Sequence, residues 1–488
     1  MSKPVEPRQG IPIILLPTPM NDDEKNFDLK NTTNNLYVSE KKIYPRTVHG
    51  FFSQLRWLTV ILTQCIFYVL PWMEWGSRQA VLCDLNARKF YLFAIVFYPQ
   101  DFIYLTGLLI VCALSLFLFT SVAGRLWCGY ACPQTVYSEI FLWIERVIEG
   151  DRSARLRLDK ENLSIKKFLR KLTKHTIWIV LAIFTGLTFV AYFTPIHFLI
   201  NELTILQLGS WEIFWIGFYA LATYGNAGFL REQVCLYMCP YARFQSAMFD
   251  ADTLIVTYDE KRGENRGARS RQVDSRSQGL GDCIDCTLCV QVCPTGIDIR
   301  SGLQYQCIGC GACADVCNKV MDKMGYARGL IRYATQNSII KGLRGGGAGF
   351  RLFRPRIMIY STILILLMCF IGVSLFFRQP VKLDIVRDRV SFSRLTAHGT
   401  LENIYRIHLM NATEKTQSYQ ISVHGVEKVY NHSEKMITVP ALEAIWIPVQ
   451  VAIPSNLAVP SIYKIYFDLT SATGQLILSE PSVFIVSK

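Results

Sequence analysis

Eight of the sixteen cysteines lie between Asp282 and Asn318, in two runs of one spacing. Cys283, Cys286, Cys289 and Cys293 make the first run, and Cys307, Cys310, Cys313 and Cys317 the second. Each reads C-x2-C-x2-C-x3-C, and the first continues into Pro294. Thiolates at this spacing suit [4Fe-4S] cubanes, because soft sulfur donors satisfy iron. The competing readings are a zinc module, which rarely duplicates this spacing, and a disulfide framework, which needs an oxidising compartment. Two further pairs stand apart: Cys128-Gly-Tyr-Ala-Cys132-Pro133 and Cys235-Leu-Tyr-Met-Cys239-Pro240. On a helix, positions i and i+4 share a face, so each pair is expected to present two sulfurs to one centre. The proline after each pair starts a new helix and leaves the motif at a break. Two such pairs facing one another offer four soft ligands for Cu(I), zinc or an iron–sulfur centre. Buried small hydrophobes at helix ends are the plainer alternative.

In two-cluster ferredoxins the fourth cysteine of each run serves the other cluster. Carried over to this spacing, Cys283, Cys286, Cys289 and Cys317 hold one cubane. Cys307, Cys310, Cys313 and Cys293 hold the other.

The elements that position these cysteines are largely apolar. The chain has 488 residues, 51% of them hydrophobic, and a mean hydropathy of +0.24. That length implies more than one domain. The net charge of +13 does not point to nucleic acid, because the basic residues flank apolar runs rather than stacking aromatics. Five apolar runs approach the length needed to cross a core of about 30 Å: 57–73, 102–124, 176–200, 213–230 and 357–377. The patch at 90–98 is too short to span and reads as interfacial. Residues 125–175 carry eleven Lys and Arg and residues 231–356 eighteen, whereas 201–212 carry none. Positive charge stays inside. The expected topology therefore has the N-terminus and the cysteine module in the cytoplasm and the C-terminus outside. The apolar patch at 13–16 lacks a signal-peptide context.

The expected domains are a cytoplasmic tail at 1–50, a four-helix membrane domain with both C-x3-C-P motifs at 51–240, a cytoplasmic two-cluster ferredoxin domain at 241–350, a fifth transmembrane helix at 351–379, and an outer domain at 380–488. The last alternates in short runs at 405–410, 419–424, 445–453, 462–469, 476–478 and 483–485, a pattern that predicts an antiparallel immunoglobulin-like sandwich. Cys65, Cys112 and Cys369 lie within apolar helices and read as core, and Cys83 stands alone in an outer loop. His175 and His197 sit at opposite ends of the third run, an arrangement unsuited to a bis-histidine haem. His408 and Met410 share a strand face and read as surface rather than as a copper pair. The run at 345–347 is three glycines and reads as a hinge.

Arg78-Gln-Ala-Val-Leu, Tyr98-Pro-Gln-Asp-Phe, Gly124-Arg-Leu-Trp-Cys-Gly-Tyr-Ala-Cys-Pro-Gln-Thr-Val, Ile148-Glu-Gly-Asp-Arg and residues 320–332 resemble the FixG/CcoG (RdxA) family. Its members are bacterial maturation proteins of the cbb3-type cytochrome c oxidase. The resemblance covers nearly the whole chain. It implies cupric reductase activity, with copper as substrate or transiently bound ion and Cys128, Cys132, Cys235, Cys239 and the cluster cysteines as functional residues. The partners implied are the membrane, a cytoplasmic electron donor, copper carriers and oxidase assembly factors, and a homodimer is compatible with it. Asn318 departs from a plain ferredoxin, which would have proline there, and alters the loop after Cys317 without removing a ligand. Two other readings stay open: a quinol-linked electron conduit, and a non-enzymatic scaffold whose clusters only stabilise the fold.

Overall fold

The computed structural model describes residues 42–76, 78–271, 279–342, 353–379, 381–388, 394–396, 399–425, 430–431, 436–454, 461–471 and 474–486. The patch at 13–16 and the glycines at 345–347 lie outside them. Among the described residues, four helices are long and apolar enough to cross a membrane: Phe51–Trp72, Pro99–Ala123, Ile165–Val190 and Pro355–Phe376. The run at 213–230 is divided. An α-helix covers Ser210–Gly225, 16 residues, and a π-helical turn covers Asn226–Leu230, so its regular part is shorter than the roughly 20 residues of a full span. It packs closely on Ile165–Val190, where Gly186 is required: a Cβ there would stand 2.5 Å from the Ile216 carbonyl oxygen.

Two further boundaries differ from expectation. The third helix runs Ile165–Val190, because its basic first turns are helical from the cap at Ser164, whose hydroxyl accepts from Lys167 N. It ends before Pro195, which begins the separate helix Ile196–Thr204. His197 therefore lies on that short helix, not at the far end of the span. The first helix begins at Phe51, because Asp315 caps it: its carboxylate accepts from Phe52 N at 3.2 Å and Ser53 N at 2.8 Å. Cys65, Cys112 and Cys369 are exposed rather than core. A membrane helix presents its apolar surface to lipid, so an apolar position need not be interior.

The cysteine module follows the fourth membrane segment. Strands Ile255–Tyr258 and Ile331–Ala334 pair antiparallel, and helices Leu288–Gln291 and Ala312–Met324 carry three of its cysteines, Cys289, Cys313 and Cys317. Asn318 lies inside the second of these helices, where its side-chain oxygen accepts from Gly329 N at 2.9 Å. Cys317 is therefore followed by helix and not by an altered loop.

At the opposite end of the helices sits a two-sheet sandwich. One sheet orders Tyr430–Asn431, Ala444–Pro454, Thr400–Asn411 and Val381–Arg387, with Arg394–Leu395 on the third strand; the other orders Ile437–Val439, Gln417–His424, Ile462–Ser471 and Leu476–Ile485. Tyr405, Ile407, Val451, Phe467 and Phe484 fill its core. The runs at 476–478 and 483–485 are one strand, because it lies at a sheet edge, where Pro481 is tolerated. The patch at 90–98 belongs to a small sheet. Strands Val81–Asp84, Lys89–Leu92 and Ile95–Phe97 form a sheet, and Val96 and Tyr98 pack on Met410 of the sandwich. Met410 is thus buried against that sheet, and His408 stacks on Trp446 at 4.3 Å; they do not form an open surface pair.

Candidate functional site

The eight clustered cysteines surround two cavities. One is lined by Cys283, Cys286, Cys289 and Cys317, with Arg300 and Tyr258. The other is lined by Cys293, Cys307, Cys310 and Cys313, with Cys289 at the shared edge. Electrostatic reach divides the sulfurs in the same way. Cys317 faces Cys289, Cys283 and Cys286, and Cys313 faces Cys310, Cys307 and Cys293 most strongly. Among the described residues no three His, Cys, Asp or Glu side chains converge closely enough for one metal ion. Apart from Cys289 at the edge of the second, four sulfurs line each cavity, matching the four thiolate ligands of a cubane.

The donor chemistry agrees with that fit. Burial pushes the Cys289 thiol up to about 11 and the Cys307 and Cys317 thiols up to about 12. Thiolates crowded in such a setting are unfavourable by themselves, and a metal group that binds the ionised form offsets the penalty. Gly309 N points at Cys307 Sγ, 3.4 Å away.

The two C-x3-C-P pairs are brought together, though not as single helix faces. Cys128 lies on the short helix Leu126–Tyr130, and Cys132 precedes helix Pro133–Glu149. Cys235 lies in the π-helical turn Val234–Met238, and Cys239 precedes helix Pro240–Ala247. Each proline opens a new helix, so the break itself aims the sulfurs. In both motifs the last cysteine closes the same turn: Cys132 N donates to Trp127 O at 3.0 Å and Cys239 N to Val234 O at 2.9 Å. Such π turns recur at functional sites. All four cysteines are half-buried and within electrostatic reach of at least one member of the other pair. Burial is the main cause that pushes Cys128 up to about 11 and Cys235 up to about 12.

Polar neighbours hold this quartet. Cys128 Sγ donates to Gln245 Oε1 at 3.5 Å, and Gln245, fully buried, donates to Gly124 O at 3.3 Å. Gln134 Nε2 donates to Asn226 O at 2.9 Å and Arg231 O at 3.0 Å, tying the first motif to the approach to the second. Arg231 is itself fixed by Glu145 at 2.8 Å, in a buried ion network with Arg155 and Lys174.

The quartet rests directly on the second cluster loop. A Cβ on Gly129 would stand 2.8 Å from Ile308 O and 3.0 Å from Cys310 Cα. Tyr130 donates to Cys310 O at 3.2 Å, and Cys128 packs with Ile308 and Cys310. Tyr333 donates to Gly309 O. Sequence reasoning missed Arg125, Gly129, Tyr130 and Gln245 as parts of the site, although the first three lie in the stretch 124–136. The remaining candidates lie elsewhere. Cys83 sits on strand Val81–Asp84 with its thiol pushed up by burial. His175 bonds Tyr224 at 3.0 Å, and His197 meets Glu74 at 3.1 Å.

Comparison with known proteins agrees with this arrangement. Residues 230–336 match a 4Fe-4S dicluster domain, residues 105–149 a 4Fe-4S binding domain, and residues 371–487 the IG-like fold at the C-terminal of FixG. Nitrogen fixation protein FixG of Rhizobium meliloti is 36% identical over 426 residues, covering 80% of each chain. Proteins RdxB and RdxA of Cereibacter sphaeroides are each 39% identical, covering 84% and 80% of this chain and 88% and 84% of their own lengths. At that identity and coverage, with iron–sulfur domains joined to apolar helices and the C-terminal sandwich, the chain belongs to the FixG/RdxA family of membrane iron–sulfur redox proteins.

Proposed function

We propose that the chain is a cupric reductase of the bacterial cytoplasmic membrane. It takes single electrons from a cytoplasmic donor and gives one to each Cu(II) ion, and the Cu(I) formed supplies the copper site of a cbb3-type cytochrome c oxidase. Cys283, Cys286, Cys289 and Cys317 would hold one [4Fe-4S] cluster, and Cys293, Cys307, Cys310 and Cys313 the other. When bound, each supplies a one-electron store. Copper is received at the Cys128, Cys132, Cys235 and Cys239 thiols, two of which suffice for one Cu(I) ion, and soft sulfur favours that reduced product.

The observation that carries this reading is the seating of the thiol quartet on the Ile308–Cys310 backbone, so close that a Cβ on Gly129 would stand 2.8 Å from Ile308 O. A scaffold has no need to place four additional soft donors there. The charge asymmetry, eleven Lys and Arg at 125–175 against none at 201–212, supports a cytoplasmic cysteine module and a periplasmic sandwich. Copper carriers and oxidase assembly factors are the partners this reading requires.

The test mixes anaerobically purified protein, pre-reduced and freed of excess reductant, with Cu(II) and a Cu(I)-specific chelator. The expected result is about two Cu(I) per chain, matching two one-electron stores. Retained colour with no Cu(I) formed would overturn the reading. Quinone reduction in its place would favour the conduit.

A further inference from the structure

Arg125 sits between the two sets of thiols. It follows helix Phe102–Ala123 and is only 7% exposed. Its guanidinium donates to Cys307 O at 3.3 Å, to Tyr305 O, and to Ala242 O at 2.5 Å. One side chain thus joins the first C-x3-C segment, the loop of the second cluster cavity and the helix after the second motif. Its charge lies within reach of the Cys128, Cys307, Cys235 and Cys239 sulfurs. Among the described residues no carboxylate forms an ion pair with it, and its Nε has no partner. A guanidinium stays protonated, so a full positive charge is held in a dry setting by carbonyl dipoles alone. Such burial is unfavourable unless negative charge faces it.

The other cavity is arranged differently. Arg300 lines it, but Asp298 at 2.6 Å and Asp285 both pair with that guanidinium. Arg269 also reaches the Cys283 carbonyl, at 3.3 Å, yet it is half-buried and water screens it. On the membrane side Arg56 is matched by Glu139 at 2.7 Å, which among the described residues leaves Arg125 as the uncompensated cation beside Cys307. Reduction adds negative charge to a thiolate-bound iron–sulfur group, and its potential follows the net charge around it. A desolvated cation therefore favours the reduced form of the group it faces.

We propose that Arg125 is a positioning residue that raises the reduction potential of the group held by Cys293, Cys307, Cys310 and Cys313 above that of the group held by Cys283, Cys286, Cys289 and Cys317. Reducing equivalents then rest preferentially beside the C-x3-C thiols. The inference rests on the iron–sulfur reading of the eight cysteines and not on copper.

An electron paramagnetic resonance redox titration of the full-length protein tests it, with R125Q, R125K and R300Q beside the parent. The parent should give two midpoints. R125Q should shift the higher one to more negative potential and leave the lower in place, R125K should keep the higher one near its parental value, and R300Q should move only the lower. An unchanged upper midpoint in R125Q with iron retained overturns the inference while the cluster reading stands. Equal shifts in R125Q and R125K, or iron loss in both, also overturn it, because charge is then not what Arg125 supplies. A parent without two signals removes the iron–sulfur reading itself.

Discussion

The cysteines were legible because thiolate chemistry demands a spacing, and spacing survives in a linear string. The residues that seat them were not. Arg125 acts on a carbonyl 180 positions away, and Gly129 matters only because Ile308 and Cys310 fold over it; neither leaves a local pattern. Both kinds of residue carry predictions. C286S and C310S should each lose one cluster, taking iron from about eight per chain toward about four, measured by iron assay and the broad charge-transfer absorbance. Iron near zero with stoichiometric zinc in the parent would contradict the assignment. G129A should press its methyl against the Ile308 and Cys310 backbone, which cannot rotate away, and destabilise the loaded protein by about 1–3 kcal/mol. Gly217, where a Cβ meets nothing within 4 Å, provides the control: G217A should leave the melting temperature unchanged or higher.

The apolar runs identified the membrane helices, but proline and charge set their ends in ways hydropathy does not see. Helix Ile165–Val190 extends into its basic turns, where Lys174 meets Glu149 at 2.8 Å, and stops before Pro195 because a new helix begins there. The π turns at 226–230 and 234–238 were invisible, since nothing in residue type distinguishes them from α-helix. Pro133 and Pro240 did mark the breaks that orient the cysteines. Reporter fusions near Asp282 should read as cytoplasmic, and fusions after Asn201 or within 381–486 as external. A cytoplasmic signal from the C-terminal fusion would show that segment 210–230 does not cross, leaving four spans.

For the whole molecule, the sequence pointed to helices, cysteine module and sandwich but not to how the sandwich is fastened. The small sheet at 81–97 was unrecognised because its strands are only three or four residues long. Asp101, buried at the head of its helix, pairs with Arg378 and Lys382, Lys89 donates to Leu442 O at 2.7 Å, and Tyr98 donates to Asn411 O at 3.3 Å. D101A leaves two half-buried cations without their carboxylate and should loosen the sandwich by about 1–3 kcal/mol, seen as faster proteolysis near residue 380 with cluster absorbance retained. The central claim is that electrons reach copper at the C-x3-C quartet, and one comparison tests it most directly. The C132S/C239S double variant, loaded and pre-reduced like the parent, is mixed anaerobically with Cu(II), and bleaching and Cu(I) formation are followed in a single turnover. The account predicts full iron content, since neither cysteine lines a cluster cavity, with Cu(I) formation slowed at least about tenfold, equivalent to about 1.4 kcal/mol on the barrier. Parental rates with intact clusters would contradict it and make the quartet structural.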